Sequence, residues 1–196
     1  MEAPTDETLL QEYLNGNTAS FELLVRRHAQ ELHQFTVRFT GNAVAAEDVV
    51  QDTFLQVHTS ADRFDPARKF KPWLFTIAAN KARDFIRRRK RRRELPFEAQ
   101  MSGDDEGQRF VSLLSGESEM PDENMALDEK RRSVRAAIDE LPENLTEVLV
   151  LAYFHRFPYK EIAEIVGIPL GTVKSRLHSA VVMFDKAYKA AVEKEK

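Results

Sequence analysis

The chain contains no cysteine. That removes disulfide frameworks, thiolate nucleophiles and cysteine-based zinc sites in one step. Glycine and proline are sparse, seven and eight in 196 residues, which leaves long stretches open to helix. No apolar run approaches the roughly 20 residues that a membrane-spanning helix needs. The opening, MEAPTDETLL, is acidic and has neither the basic start nor the apolar stretch of a secretory signal. A cytoplasmic protein without membrane insertion is therefore expected. Catalytic signatures are missing as well: there is no phosphate-cradling glycine loop and no nucleophile elbow. His28, His33, His58, His155 and His178 show no spacing with carboxylates that makes a metal site, and His28 and His33 do not share a helix face. No catalytic residue, metal or cofactor is expected, and the chain does not read as an enzyme.

What the chain has is charge, unevenly placed. Its 29 Lys+Arg and 32 Asp+Glu give a formal net charge of −3. Residues 1–93 carry 16 basic and 12 acidic groups, residues 94–128 one and ten, and residues 129–196 twelve and ten. Near-neutrality thus hides a basic, acidic, basic order. The sharpest cluster is RRRKRRR, from Arg87 to Arg93. A hydrophobic content of 42% supports the cores of one ordinary domain or two small ones.

Apolar residues recur at helical spacing through the first segment. TDETLLQEYLNGN places Leu9, Leu10, Tyr13 and Leu14 on one face, with Thr5 or Asp6 as N-cap and Gly16 as stop. A second stripe runs through Phe21, Leu24, Val25, His28, Leu32, Phe35 and Phe39 to Gly41-Asn42. In AVAAEDVVQDTFLQVHTSA, Val49, Val50, Phe54, Val57 and Ala61 turn inward, and Glu47, Asp48, Gln51, Asp52 and Gln56 form the opposite face. After the loop DRFDPARKFK, Pro72 stands where a first helical turn tolerates it. A long helix follows, with Leu74, Ile77, Ala78 and Phe85 as its stripe and the basic run as its last two turns. Cations at a helix C-terminus complement the macrodipole, but that reason does not require seven. Asn80, Arg83, Arg87 and Arg91 recur along one ridge of the same helix, an arrangement suited to a polyanion. Segment 94–128, acidic and dotted with Gly, Ser and Pro, predicts a flexible linker extended by self-repulsion.

Helix returns in the last segment, where YKEIAEIVGIPLGTVKSRLHSAV reads as a helix-turn-helix. Ile162, Ala163 and Val166 face inward. Gly167 supplies the turn, Ile168 plugs the angle between the helices, and Val173 and Leu177 anchor the second helix. This leaves Thr172, Lys174, Ser175, Arg176 and His178 outward near its N-terminal half, the part of such a helix that reaches base edges in a major groove. The fold expected is all-α: two small helical domains, 1–93 and 129–196, joined by the flexible acidic linker 94–128, the C-terminal domain being the helix-turn-helix.

AEDVVQDTFLQVHTSADRFDPARKFKPWLFTIAANKARDFIRRR resembles the second conserved region of bacterial sigma factors, and LPENLTEVLVLAYFHRFPYKEIAEIVGIPLGTVKSRLH resembles the fourth. Both in order, with only a linker between, resemble the two-domain extracytoplasmic-function (ECF) group of the sigma-70 family. The resemblance implies an alternative sigma factor that binds core RNA polymerase, through its β′ clamp helices and β subunit, and directs promoter-specific transcription initiation. It implies polymerase docking by Glu47, Asp48, Gln51, Asp52 and Gln56. It implies recognition of the single-stranded −10 element and its flanking phosphates by Arg63, Phe64, Lys69, Phe70, Lys71, Trp73, Asn80, Arg83, Arg87, Arg88 and Arg91. Trp73 and Phe70 read equally well as core residues. Duplex DNA at −35 falls to Thr172, Lys174, Ser175, Arg176 and His178. Ser179 and Val181 stand where the family is commonly basic, so fewer −35 contacts are expected there. An anti-sigma factor is implied as a further partner, one able to hold the protein at the membrane. The competing reading of the same residues is a stand-alone helix-turn-helix regulator that binds duplex DNA without polymerase.

Overall fold

Local capping chemistry sets several of the helix boundaries. The computed structural model describes residues 3–93 and 121–194. Thr5 caps helix α1 (Asp6–Leu14), its hydroxyl accepting from the Thr8 amide at 3.2 Å. Helix α2 (Thr18–Thr40) stops at Gly41, whose φ of 68° is left-handed and whose N–H reaches the Val37 carbonyl at 2.9 Å. Asn42 then caps α3 (Ala43–Ser60), accepting from the Ala45 amide at 2.9 Å. A short 3₁₀ turn, Ala61–Arg63, leads into the loop before α4 (Phe70–Arg93). The first turn of α4 is capped from a distance: the Phe70 amide donates to Glu7 Oε1 of α1 at 2.8 Å. The basic run forms the end of α4, as its sequence predicts.

The second unit begins with α5 (Pro121–Asp139), which starts inside the stretch expected to be linker; residues 94–120 of that stretch lie outside the described residues. Helix α6 (Glu143–Leu149) widens into a π turn over Val150–Phe154. Helices α7 (Tyr159–Val166) and α8 (Leu170–Lys194) make the helix-turn-helix. Gly167 sits at φ 74°, and the amides of Gly167 and Ile168 both reach the Ala163 carbonyl at 3.0 Å, which closes α7 in one tight corner. Among the described residues all regular structure is helical.

The core explains the stripes. Leu9, Leu10, Leu24, Leu32, Phe35, Val57, Phe70, Leu74 and Phe75 are fully buried in the N-terminal unit, and Ile162, Val173 and Leu151 in the C-terminal one. These are one core, not two. The rings of Phe75 and Phe157 lie 4.8 Å apart across the seam, and His155 packs against Phe35 at 5.7 Å and Phe75 at 5.3 Å. The Arg38 guanidinium stands 4.7 Å over the Phe154 ring. A separate cluster of Leu141, Leu145, Leu149 and Ala180 ties α6 to α8.

Candidate nucleic-acid and polymerase interfaces

Helix α3 presents one polar face. Val49, Thr53 and Val57 are buried, and that period leaves Glu47, Asp48, Gln51, Asp52 and Gln56 exposed together. The sequence reading missed two apolar neighbours, Val44 and Leu55, which are 49% and 58% exposed. Leu55 stands three residues after Asp52 and four after Gln51, so it shares their outer face; that spacing was the available signal.

The loop before α4 is set by Asp65, whose carboxylate accepts from the Ala67 amide at 2.9 Å while its carbonyl accepts from Arg68 N–H at 2.9 Å. Phe64, expected as a surface for bases, lies inside instead at 6% exposed, and Phe70, which read equally well as core, is core at 0% exposed. They pack around Trp73, with ring centroids 5.0 and 5.9 Å from it. Burial of large apolar rings holds the loop on the core, and only Trp73 keeps a partly open face. Trp73 lines a cleft of about 380 Å³ with Arg68, Lys69, Thr76, Glu161 and Glu164.

The expected cations fall into two groups. Arg63, Arg87, Arg88 and Arg91 are exposed, as is Asn80. Arg87 pairs with Asp84, and the Arg88 Nε donates to the Asp84 carbonyl at 3.3 Å. Lys69, Lys71 and Arg83 instead meet carboxylates far away in sequence or on another helix. Lys69 Nζ lies 2.8 Å from Glu161 Oε1, a hydrogen bond that raises the Lys69 pKa. Lys71 Nζ lies 2.7 Å from Glu31 Oε1, and Arg83 Nε 3.3 Å from Glu147 Oε1.

Two of these carboxylates are strongly perturbed. Burial pushes Glu31 up, but hydrogen bonds from His155 and Lys71 outweigh it and hold the carboxyl at about 2. Glu147 goes the other way. It is 3% exposed, and burial raises it to about 7 against the attraction of Arg83 and Arg176. The Arg83 Nε–H is directed to its own helix, at 3.3 Å from the Ala79 carbonyl, so Glu147 Oε1 has an ionic neighbour without a hydrogen bond.

On α8, Val173 and Leu177 are buried, which leaves Lys174, Ser175 and His178 exposed and Thr172 and Arg176 half-buried. The Thr172 amide donates to the Pro169 carbonyl at 2.9 Å, and Ser175 Oγ donates to the Thr172 carbonyl at 3.1 Å. All five expected residues thus lie on the first turns of one helix, around the two anchors. Among the described residues no cluster of three or more His, Asp or Glu could hold a metal ion. None of the helices among them is long and apolar enough to cross a membrane.

The family model for Sigma-70 region 2 matches residues 24–92, and that for Sigma-70, region 4 matches residues 131–183. The ECF RNA polymerase sigma factor SigW of Bacillus subtilis is 31% identical over 169 residues, covering 86% of this chain and 89% of its own length. The chain belongs to the ECF sigma factors of the sigma-70 family.

It is thus an alternative sigma factor, which directs transcription initiation. The RNA polymerase sigma-H factor of Pseudomonas aeruginosa is likewise 31% identical, over 93% of both chains. Among solved structures, CnrH in complex with the cytosolic domain of CnrY superposes with a TM-score of 0.66 at 26% identity, covering 95% of this chain and 99% of that one. The curated relatives are sigma factors and not enzymes. What the sequence reading missed in this sigma factor is the set of carboxylates opposite the cations of α4 and of the loop before it: Glu143, Glu147, Glu161 and Glu164. They belong to the C-terminal unit by sequence, and nothing local announces that they face α4 and the loop before it.

Proposed function

We propose a division of labour in which α3 docks on polymerase, α4 and its loop hold the −10 strand, and α8 reads the −35 duplex. The domain limits that go with it are 1–93 and 129–196, with 94–128 between. The observation that carries this reading is the sorting of exposed charge by helix: acids and amides on α3, cations on α4, and polar and basic groups at the start of α8.

Each surface has the chemistry its partner needs. The acidic ridge of α3, with Leu55 and Val44 beside it, fits a basic helical surface such as the β′ clamp helices of core RNA polymerase, while the C-terminal unit would lie on the β subunit. Trp73 offers one ring for an unpaired base, and the exposed Arg63 and Lys69 beside it hold backbone phosphates. Asn80 and Arg83 read the upstream edge of the −10 element. Arg87, Arg88 and Arg91 grip duplex phosphates, a contact strong in affinity and poor in sequence information. Lys174 and Arg176 reach guanine edges or phosphates at −35, supported by Thr172, Ser175 and His178. The protein does no chemistry itself; polymerase supplies that. It works in the cytoplasm, and an anti-sigma factor covers these same surfaces until initiation is needed.

The test is transcription in vitro from promoter-bearing genomic fragments, with this protein alone, with core polymerase alone, and with both. Selective transcripts are expected only with both. Sequence-selective duplex binding by the protein alone, unchanged by core, would replace the sigma mechanism with that of a stand-alone regulator. Asp52→Arg places a cation on the acidic ridge. It is expected to weaken core binding by about a hundredfold, the usual scale for a charge clash inside an interface. Its melting temperature should stay at the wild-type value, because Asp52 is exposed.

A further inference from the structure

Helix α1 ends before the residues that match Sigma-70 region 2 begin, yet its first turn is tied to α2 and to the start of α4. Asp6 accepts from Arg27 Nη1 at 3.0 Å and from His28 Nε2 at 2.7 Å, and Arg27 Nη1 also donates to the Pro4 carbonyl at 2.8 Å. These bonds hold the start of α1 on α2. The next residue, Glu7, is half-buried and reaches α4: its Oε1 accepts from the Phe70 amide at 2.8 Å. His28 closes the circuit, with its ring 5.7 Å from that of Phe70. The Glu7 bond answers a deficit in the sequence. The first amides of a helix have no partner within it, and a Ser, Thr, Asp or Asn just before the helix usually supplies an acceptor. Here Lys69 precedes Phe70, and an ammonium can only donate. The carboxylate of Asp65, in the same loop, accepts instead from the Ala67 amide. The loop's backbone bonds, Phe64 to Ala61 and Arg68 to Asp65, are local and do not fix where α4 begins. Glu7 stands in as the cap, and its negative charge suits the positive end of the α4 dipole.

We propose that Glu7 is a positioning residue for capture of the −10 strand: by fixing the first turn of α4 it sets the place of Lys69 and Trp73 without touching DNA itself. The proposal rests on the reading of α4 and its loop as the strand site. Lys69 directly precedes the capped amide. Trp73 stands one turn after Phe70 on the same side of the helix, and the two rings lie 5.9 Å apart. Without Glu7 the Phe70 amide has to turn to water, the first turn of α4 frays, and both strand contacts move with it. Such fraying matters here because a preset ring and cation bind a strand without first being ordered, whereas a loose loop must be ordered at the moment of binding. Polymerase docking through α3 and −35 contact through α8 do not depend on this turn.

The test uses the full-length protein with core polymerase on a promoter fragment that the pair transcribes. Permanganate reactivity of thymines in the −10 segment reads strand capture, and titration of the protein with core reads docking. Glu7→Ala is expected to lower the permanganate signal about fivefold, the scale of one lost helix cap, while core affinity stays within about twofold of wild type. Glu7→Gln keeps an oxygen that accepts from the Phe70 amide and drops the charge, so it should restore the wild-type signal. Trp73→Ala removes a strand contact itself and should also lower the signal. A wild-type signal in Glu7→Ala beside a defect in Trp73→Ala would overturn the positioning role and leave the strand site in place. Wild-type signals in both would remove the strand site from α4, and the proposal with it. A loss of core affinity that matches the loss of signal would reduce Glu7 to a general structural part. Failure of Glu7→Gln to restore the signal would overturn the cap as its cause.

Discussion

Phe75→Ala is expected to lower the unfolding free energy by about 4 kcal/mol, the range for a fully buried phenylalanine whose cavity cannot collapse. Phe75 has no exposed surface. Its ring meets Phe35 at 5.4 Å within the N-terminal unit, and Phe157 at 4.8 Å and His155 at 5.3 Å from the C-terminal one. The Lys71 ammonium lies 5.9 Å from the Phe75 ring and 5.3 Å from that of Phe157, so a cation also depends on the same aromatic pair. Truncation removes contacts on both sides of the seam at once. Urea denaturation followed by circular dichroism and by Trp73 fluorescence measures it. The midpoint should fall in both signals, and Trp73 should become more accessible to quencher before helicity is lost. A change below about 1 kcal/mol, the ordinary scale for a surface position, would mean that the two units do not share this core in solution.

Glu147→Gln should stabilise the protein above neutral pH and leave it nearly unchanged in acid. The carboxyl of Glu147 is raised from an ordinary 4.5 to about 7, chiefly by burial. The folded protein therefore binds a proton between those values that the unfolded chain has released. Stability from this group is fully present below pH 4.5 and is lost as the pH rises through 7. The difference is on the order of 3 kcal/mol, from the span of the two values. Glutamine keeps the shape and removes the charge, so the variant should lack this fall. Glu31 has the opposite sense, which is why the comparison must be variant against wild type. Held at about 2 by His155 and Lys71 against the effect of burial, it contributes stability above pH 4.5 that disappears as the pH falls through 2. Thermal melts of both proteins between pH 4.5 and 8.5 test the prediction. Parallel curves would show that Glu147 is solvated in the native state.

The two effects have a common origin at the seam, and the seam is where sequence reasoning had least to work with. The helices themselves were legible. Thr5, Asn42, Gly41 and Gly167 act locally, through side chains or φ values that need only their nearest neighbours, so their positions could be read directly. The polar face of α3 and the outward residues of α8 were legible for a similar reason, since a helical period assigns a residue to a face without knowing what covers the other side.

The aromatic loop was not legible to the same degree. Phe64, Phe70 and Trp73 are alike in composition and spacing, and only packing against α1 and α2 decides which rings are buried. His28, whose ring lies 5.7 Å from that of Phe70, and Glu7, which caps its amide, come from more than 40 residues away in the chain. The start of α5 at Pro121 was masked by the acidic composition around it.

What the sequence by itself determined is the set of helices, the helix-turn-helix, the sorting of charge and the family, because each depends on interactions within a few turns or on a linear pattern. What only the tertiary structure decided is which cations face solvent and which face carboxylates, and which buried acid is forced toward neutrality. Arg83 and Arg87 look equivalent on the ridge of α4, yet one meets Glu147 and the other stays exposed beside Asp84. That difference comes from residues more than 60 positions apart. The free energy of a charge depends on its distance to other charges and to water, and neither distance is written along the chain.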